Sequence, residues 1–402
     1  MKKHLFPLVL IVVAMASATP KKRLPDPAYY AQQNNQFAFD LYQKITEKST
    51  GNIFLSPYSI SSALAMTYAG ANGSTQIEMA KTMRFDANEG FFHYGYGNYT
   101  NQMLENAKEN VELAIANQLW GEKTYPLQKD FVGINENAYQ AELKTMDFVN
   151  RSEQERLLIN NWVATKTNDR IVNLLSKGMI TPDTRLVLTN AIYFKGDWLA
   201  EFDVKETRDR TFKRNETESN EIPFMHSFGD FKYMENLDFQ MISLPYQGNK
   251  QSMVVVLPKD PEKMTVVEKQ LSTTQIQKVM SSKPKKVYLD LPKFKLTLNL
   301  GLKEYLKEMG MVSAFSSGAD FSKMSPINGL YISNVVHKAF IEVDEKGSEA
   351  AAATAVVMIE KMAPSQTPLP KNFMADHPFL IYIIDNDTKA ILFMGKIVNP
   401  EL

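Results

Sequence analysis

Histidine and serine are the side chains most able to do chemistry in this chain, and their spacing matches no catalytic or metal-binding motif. The 402 residues include no cysteine, which excludes thiol nucleophiles and cysteine-ligated metals. The histidines beyond the first few residues are His93, His226, His337 and His377, and none has a metal-ligand spacing. GxSxG, P-loop and dinucleotide motifs are missing, although a Ser/His/Asp triad from distant residues stays open. We therefore predict no catalytic residue, metal or cofactor.

The stretch Glu345–Met362 has an unusual composition, EKGSEAAAATAVVMIEKM, and follows a strand-like alternating segment at 340–344. Small side chains lose little rotamer entropy and add little bulk, so such a segment could slide between two existing strands. Gly347 would give the backbone freedom where the segment begins. We interpret the stretch as a loop in one state and a buried strand in another.

The alternation of this segment supports the strand interpretation. As a strand it would place Glu349 on one face and only small or apolar residues on the other. Those small or apolar residues are Ser348, Ala350, Ala352, Thr354 and Val356. The four consecutive alanines also have high helix propensity, so one turn of a surface helix is the alternative.

The N-terminus has the pattern of a cleaved signal peptide over residues 1–18. Lys2 and Lys3 precede a short apolar run, and small residues end at Ala18, after which we place the cut. Without the leader the chain has 43 basic and 45 acidic residues, a net charge of −2. We expect a secreted, extracellular protein that binds neither nucleic acid nor membrane. An uncleaved membrane anchor is the alternative.

Helical patterns dominate the first half of the chain and strand patterns the second, which predicts an α+β fold. Asp26-Pro27 and Ser56-Pro57 have the cap-then-proline order of helix starts. The glycine-containing stretch 86–100 is predicted to be a loop. One helix is predicted over 263–280 and one strand over 287–298. Neither a composition break nor a repeat divides the chain into domains.

Several segments resemble the signature motifs of the serpin family, in family order and nearly from end to end. They are NIFLSPYSI at 52–60, TNAIYFKGDW at 189–198, the segment beginning at Glu345, FMADHPF at 373–379, and FMGK at 393–396 followed by Asn399-Pro400. The resemblance implies an α+β fold of three β-sheets and eight or nine helices. It implies one serpin domain over 19–402, with an exposed reactive-centre loop at about 345–372.

The resemblance also implies a single-use trap for a serine protease. The target cleaves the loop and forms an acyl-enzyme, and the freed loop inserts into the central sheet and distorts the protease. The chain is then an inhibitor, most simply a monomer, and not an enzyme. A non-inhibitory carrier or chaperone is the alternative, although no proline or bulky charge interrupts Ala350 to Ala353.

Family positions transfer to this sequence in three groups. The hinge of the loop comprises Glu345, Gly347, Ser348, Ala350, Ala351, Ala352, Ala353 and Thr354. The shutter, where the central sheet opens, comprises Ser56, Ser59, Asn190 and His337. The breach, at the top of the sheet, comprises Trp198, Lys293 and Glu345. A purely structural role for buried polar groups is compatible with the shutter assignment.

Family spacing from Glu345 places the reactive bond between Lys361 and Met362. A lysine at this position suits a trypsin-like protease, whose specificity pocket carries an aspartate. The alternative is a cut at Met358 or Met362, which would redirect the target to chymotrypsin-like or elastase-like enzymes. Glu360 places a negative charge beside the lysine.

Two kinds of secondary site are predicted. Among the Asn-X-Ser/Thr sequons, Asn98, Asn150 and Asn215 are the better glycosylation candidates, because they lie in polar, loop-like surroundings. Asn386 is discounted, because it occupies a tight turn where asparagine is favoured for backbone reasons. Weak polyanion binding is an expectation for the densest basic group, although a solvated charged face also accounts for it. The group comprises Lys283, Lys285 and Lys286, and Lys293 and Lys295 follow it in the sequence.

Overall fold

Helices in the described residues lie mainly in the first half of the chain, as predicted. The computed structural model describes residues 25–86, 91–108, 111–141, 143–347 and 368–401. Within these ranges the α-helices are α1 (Pro27–Thr46), α2 (Pro57–Tyr68), α3 (Gly73–Met83), α4 (Phe92–Ala107), α5 (Lys129–Tyr139), α6 (Phe148–Lys166), α7 (Met264–Gln270), α8 (Thr273–Met280) and α9 (Lys303–Glu308). The predicted caps are confirmed, since Asp26 accepts from the Ala28 amide at 2.9 Å and Ser56 from that of Ser59 at 3.2 Å.

The strands form two hydrogen-bonded sheets. They are β1 (Ile53–Leu55), β2 (Val111–Glu122), β3 (Leu143–Met146), β4 (Leu186–Gly196), β5 (Arg208–Lys213), β6 (Ser219–Glu235), β7 (Phe239–Pro245), β8 (Gln251–Pro258), β9 (Pro284–Pro292), β10 (Phe294–Gly301), β11 (Ile332–Val343), β12 (Lys371–Met374), β13 (Phe379–Asp385) and β14 (Ile391–Ile397).

The central sheet has five strands in the order β10-β11-β4-β2-β3. β10 is antiparallel to β11, and β4 is antiparallel to β2. β11 and β4 are parallel to each other, as are β2 and β3. We call the boundary between β4 and β11 the seam. It is the position at which two long strands of this sheet run in the same direction.

The second sheet has the order β1-β14-β13-β8-β7-β6-β9-β12, with β5 paired to β6. Two groups of strands that could form separate sheets are joined by the 17-residue strand β6. Its first part pairs with β5 and β9 and its last residues pair with β7. The α+β prediction is confirmed. Because β6 is continuous, the described strands form two hydrogen-bonded sheets, where the resemblance implies three.

The predicted loop over 86–100 is wrong, because helix α4 begins at Phe92. Its glycines permit close packing and do not break the helix. A Cβ atom at Gly95 would lie 1.8 Å from the Tyr30 hydroxyl, and one at Gly97 would lie 2.1 Å from the Ala138 carbonyl oxygen. Only glycine lets α4 approach α1 and α5 this closely.

Two other predicted elements are each divided in the structure. Leu271 and Ser272 have extended backbone angles and separate α7 from α8 within the predicted helix 263–280. Within the predicted strand 287–298, the chain leaves the second sheet at Pro292 and enters the central sheet at Phe294. Lys293 therefore lies at the junction of the two sheets.

The central sheet is covered on both faces. α6 packs on one face over a small core that includes Trp120, Val187, Val336 and Phe340. The other face contributes Leu188, Ile192, Ala339, Ile341 and Val343 to the main core. A strand added at the seam would therefore have neighbours above and below it. Within the described ranges, no helix has both the length and the apolar character needed to cross a bilayer.

Candidate functional site

The site is built around the seam and the turn that follows β11. The β4–β11 pairing extends from Ile332 opposite Leu186 to Phe340 opposite Tyr193, so the seam is closed. Glu345 and Gly347 of the predicted hinge are among the described residues. The other predicted hinge residues, from Ser348 to Thr354, and the predicted reactive bond Lys361–Met362 lie outside them.

The chain reverses direction immediately after β11. The Gly347 amide donates to the Asp344 carbonyl at 3.1 Å, and these two residues form an antiparallel bridge. This contact closes a four-residue turn, 344–347. The backbone therefore reverses next to the end of the seam at which both β4 and β11 finish.

Trp198, which is assigned to the breach, holds this turn in place. Its indole nitrogen donates to the Asp344 carbonyl at 3.0 Å, and its backbone amide donates to the Lys346 carbonyl. The ring is buried and stacks on Tyr246 with centroids 4.6 Å apart. A residue two positions after β4 thus fixes the turn that follows β11.

Gly347 occupies a site that excludes any larger residue. Its φ of +122° lies in the region that favours glycine. A Cβ atom there would lie 2.2 Å from the Gly196 carbonyl oxygen and 2.6 Å from the Trp198 amide nitrogen. The sequence suggested that Gly347 provides backbone freedom. The structure shows that glycine is needed there because two chain segments approach each other closely.

Glu345 anchors the turn by its side chain. Its carboxylate lies 2.7 Å from Lys293 Nζ and accepts from the Thr207 hydroxyl at 2.8 Å. Burial would raise the pKa of the Glu345 carboxyl, but the hydrogen bonds from Lys293 and Thr207 outweigh burial, and the pKa is lowered. The predicted breach salt bridge is present, and its position at the junction of the two sheets links the turn to both.

Replacing Lys293 with alanine is expected to destabilise the intact protein by about 1–3 kcal/mol, because the Glu345 carboxylate stays buried without its cation. The measurement is the midpoint of denaturant unfolding of the uncleaved protein. Lys295→Ala is the matched control, since it removes a more exposed pair with Glu342 at 3.0 Å and should cost less than about 1 kcal/mol. Equal effects of the two substitutions would contradict the assignment.

The predicted shutter residues are brought together by the register of three adjacent strands. Asn190 on β4 lies opposite His337 on β11 and opposite Asn117 on β2. The Ser56 amide donates to His337 Nε2 at 3.1 Å, so the ring proton is on Nδ1 and faces Asn190 Oδ1. The Asn190 amide nitrogen donates to the Ser59 hydroxyl at 2.6 Å. A polar row therefore crosses the seam inside the sheet.

Asn117 belongs to this row but was not predicted from the sequence. The Ser59 hydroxyl donates to its side-chain oxygen at 3.0 Å, and its side-chain nitrogen donates to the Ser59 carbonyl at 3.1 Å. The available signal was the pair of amide residues Asn117-Gln118 in the largely apolar strand pattern that begins at Val111. That pattern alone does not reveal that β2 lies beside β4.

Burial lowers the pKa of His337 to about 3, from an ordinary value of 6.5. Between these values the unfolded chain binds a proton that the folded chain does not. The contribution of the neutral His337 ring to the free energy of unfolding is therefore complete above about pH 6.5 and is lost as the pH falls toward 3. At pH 5 the loss is about 2 kcal/mol.

His337→Gln is expected to flatten this pH dependence, since glutamine does not titrate and its oxygen can accept from the Ser56 amide. Between pH 7.5 and pH 5 the free energy of unfolding of the unsubstituted protein should fall by about 2 kcal/mol more than that of the variant. His93, whose pKa burial lowers to about 4, titrates in both proteins. Parallel pH profiles for the two proteins would disprove the assignment.

A connector after α6, residues 171–180, was not predicted from the sequence. It packs on the same face of the central sheet as α6. We call it the strap. Lys338 Nζ donates to the Val172 carbonyl at 2.8 Å, and Asn334 donates to that of Met179 at 3.2 Å. From β10, Asn299 donates to the Leu174 carbonyl at 3.3 Å. Polar side chains on β10 and β11 thus hold the strap on the α6 face of the sheet.

The predicted glycosylation candidates are exposed, in three different settings. Asn98 lies within α4, where the Thr100 hydroxyl of its sequon is buried and donates to the Gly97 carbonyl at 2.8 Å. Asn150 lies in the first turn of α6, and its side chain donates to Asp147 at 2.9 Å. Asn215 occupies the turn between β5 and β6. Their occupancy remains a prediction.

The predicted basic group is not one continuous patch of free cations. Lys286 pairs with Asp230 at 2.8 Å, and Lys285 lies 5.3 Å from the Tyr233 ring centroid. Lys293 and Lys295 are paired with Glu345 and Glu342. Polyanion binding stays a prediction, and the geometry gives it little support.

Comparison with known proteins identifies the family. A family model described as "Serpin (serine protease inhibitor)" matches residues 32–400. A leukocyte elastase inhibitor of Xenopus laevis is 40% identical over 376 residues, which cover 90% of this chain and 97% of the relative.

Two solved structures have the same fold. Uncleaved ovalbumin is 30% identical with a TM-score of 0.83, over 92% of this chain and all of that structure. Human thyroxine-binding globulin, solved in complex with its hormone, is 31% identical with a TM-score of 0.84, over 94% of this chain and all of that structure. The match over nearly all of its length shows that this chain belongs to the serpin family.

Proposed function

We propose that this chain is a secreted suicide-substrate inhibitor of a trypsin-like serine protease. The protease serine attacks the Lys361 carbonyl carbon, the Lys361–Met362 peptide bond breaks, and the amine of Met362 leaves, so an ester joins the two proteins. Insertion of the cleaved segment into the seam distorts the protease before water hydrolyses that ester. The chain acts as a monomer, and the leader pattern at residues 1–18 supports secretion.

The observation that carries this proposal is the turn at 344–347. A segment that continues from Gly347 back along β11 would enter the seam antiparallel to β11. Because β4 is parallel to β11, the segment would also be antiparallel to β4. One parallel pairing would be replaced by two antiparallel ones, which are slightly more stable per residue.

The faces of the seam fit the composition of the segment. With 344–347 as the turn, Ser348 comes level with Val343, on the fully buried face of the sheet. The residues that follow would alternate, so Ala350, Ala352 and Thr354 would share this face, level with the buried Ile341, Ala339 and His337. Glu349 comes level with Glu342, which is partly exposed on the α6 face.

A second candidate is a non-inhibitory carrier. The observation that favours it is the similarity to thyroxine-binding globulin, whose structure is that of a complex with its hormone. The names of other relatives, including the leukocyte elastase inhibitor, favour inhibition. The proline-free run of alanines at 350–353 also favours inhibition, because nothing in it obstructs insertion.

Incubation of the mature protein with trypsin tests the proposal. We expect an adduct that resists boiling in detergent, together with release of a C-terminal fragment that begins at Met362. Protein nicked near Lys361 by a non-target protease should melt at a higher temperature than intact protein. A nicked protein that forms no adduct and has an unchanged melting temperature would favour the carrier.

A further inference from the structure

The chain contains two Asn-Gly steps, Asn72-Gly73 and Asn328-Gly329, and their surroundings in the fold differ. Asparagine followed by glycine readily loses its side-chain amide without any enzyme, because glycine has no Cβ atom to hinder ring closure. In that reaction the glycine backbone nitrogen bonds to the side-chain carbon of asparagine, so the backbone must be able to rotate around the pair. Whether the reaction occurs therefore depends on what restrains each pair in the folded chain.

Asn72 is restrained by both its backbone and its side chain. It is the N-cap of α3, and its carbonyl accepts from the Gln76 amide at 3.1 Å. Its backbone amide donates to the Asp320 carbonyl at 2.9 Å, and its side-chain nitrogen donates to the Ser322 hydroxyl at 3.2 Å. Ring closure at Asn72 would have to disrupt the first turn of the helix and these contacts with the neighbouring loop.

Asn328 has none of these restraints. It is exposed in the loop that leads into β11, and Gly329 has a φ of +89°. Among the described residues, none forms a hydrogen bond with the Asn328 side chain or with the Gly329 amide. A Cβ atom at Gly329 would have the Tyr125 hydroxyl as its nearest neighbour beyond the adjacent residues, at 3.6 Å. The pair is therefore open to solvent and uncrowded.

The residues on either side of this loop are fixed in place. Met324 is fully buried and Leu330 is 3% exposed, and both belong to the main core. Just beyond them, the Ser333 hydroxyl of β11 accepts from the Arg185 amide at 3.0 Å. This contact lies at the end of the seam opposite to the turn 344–347. A change in main-chain length between Met324 and Leu330 would therefore act on the start of β11.

We propose that Asn328 is a site of spontaneous deamidation and that its isoaspartate product loosens the start of β11. The Gly329 nitrogen loses its proton to hydroxide and bonds to the Asn328 side-chain carbon, and ammonia leaves as a succinimide ring closes. Water then opens the ring at either carbonyl, which gives aspartate or isoaspartate at position 328. The net reaction exchanges ammonia for water and needs no oxidant or reductant. It does not depend on the proposed inhibitory function.

The two products are expected to differ in their effect on the fold. Aspartate adds only a charge to an exposed residue, and such surface changes alter stability little. Isoaspartate also adds a methylene to the main chain between two anchored residues, so Leu330 or the start of β11 must shift from its close packing. We therefore expect the isoaspartate form to unfold at a lower denaturant concentration than the Asn328→Asp variant, which has the same charge and an ordinary main chain.

The test incubates the mature protein, produced in bacteria so that the Asn72 sequon carries no glycan, in mildly alkaline buffer. Mass spectrometry of its peptides gives the rate of ammonia loss at each asparagine. Each hydrogen bond that must break at Asn72 adds to the barrier there, so Asn328 should react about tenfold faster or more. In urea, where these contacts are lost, the two asparagines should react at similar rates. Asn328→Gln, whose longer side chain closes a ring slowly, should abolish the fast reaction and leave the rate at Asn72 unchanged.

Two results would overturn the assignment of the site. One is a similar rate at Asn328 and Asn72 in the folded protein. The other is a rate at Asn328 in the folded protein that is more than about tenfold below its rate in urea, since the fold would then protect it. Enzymatic methylation specific for isoaspartate identifies that form after chromatography. Equal unfolding midpoints for the isoaspartate form and Asn328→Asp would refute the effect on β11.

Discussion

Replacing Ala352 with glutamate is expected to convert the protein from an inhibitor of trypsin into a substrate. In the register set by the turn 344–347, residue 352 comes level with Ala339, which is fully buried in the main core. An unpaired charge there costs several kcal/mol, so insertion slows while hydrolysis of the acyl-enzyme does not. Since each 1.4 kcal/mol of barrier is a factor of ten, the stoichiometry of inhibition should rise about tenfold or more.

The control for this prediction is the same substitution at the neighbouring alanine. Residue 353 comes level with Lys338, which is partly exposed on the α6 face. A glutamate there can pair with that lysine, so Ala353→Glu should remain an inhibitor. The stoichiometry of inhibition of each variant is measured by titrating trypsin activity. Gel analysis of the adduct and the nicked product shows how each variant divides between inhibitor and substrate. Equal stoichiometries would refute the proposed register.

The second large effect is expected at the reactive bond. Lys361→Ala removes the cation that pairs with the aspartate of a trypsin-like specificity pocket. Such a pocket discriminates strongly against side chains that leave its charge unpaired, so the association rate with trypsin should fall about 100-fold or more. The measurement is the second-order rate constant for formation of the detergent-stable adduct.

Mass spectrometry of the released fragment distinguishes the alternatives for the bond. A fragment that begins at Met362 places the cut after Lys361. A fragment that begins after Met358 or Met362, or a Lys361→Ala variant that retains the unsubstituted rate with trypsin, would contradict the assignment. Chymotrypsin and elastase in the same assay test the redirected target.

The features predicted correctly from the sequence are those encoded by short local patterns. The caps at Asp26 and Ser56 combine an acceptor side chain with a following proline, so neighbouring residues alone specify them. The breach and shutter assignments of Trp198, Glu345, Asn190 and His337 came from the resemblance to the family, and their roles stay predictions. The register of adjacent strands accounts for their contacts physically.

The features missed depend on tertiary packing. Gly95 and Gly97 read locally as helix breakers, yet close contacts with Tyr30 and Ala138 make glycine necessary there. Asn117 joins the polar row only because β2 lies beside β4. The position of the strap likewise depends on which surface of the central sheet other elements leave open, and spacing along one strand does not encode this.

In the proposed insertion, opening of the sheet exchanges a hydrogen-bond partner in the polar row across the seam. Separation of β4 from β11 breaks the contact between His337 and Asn190, but leaves Asn190 bonded to Ser59 and Asn117. In the proposed register Thr354 arrives level with His337, so its hydroxyl oxygen can accept the imidazole N–H that Asn190 has released. Thr354→Val would keep the shape of threonine but remove this acceptor. The imidazole N–H would then stay without a hydrogen-bond partner, and insertion would stop part-way.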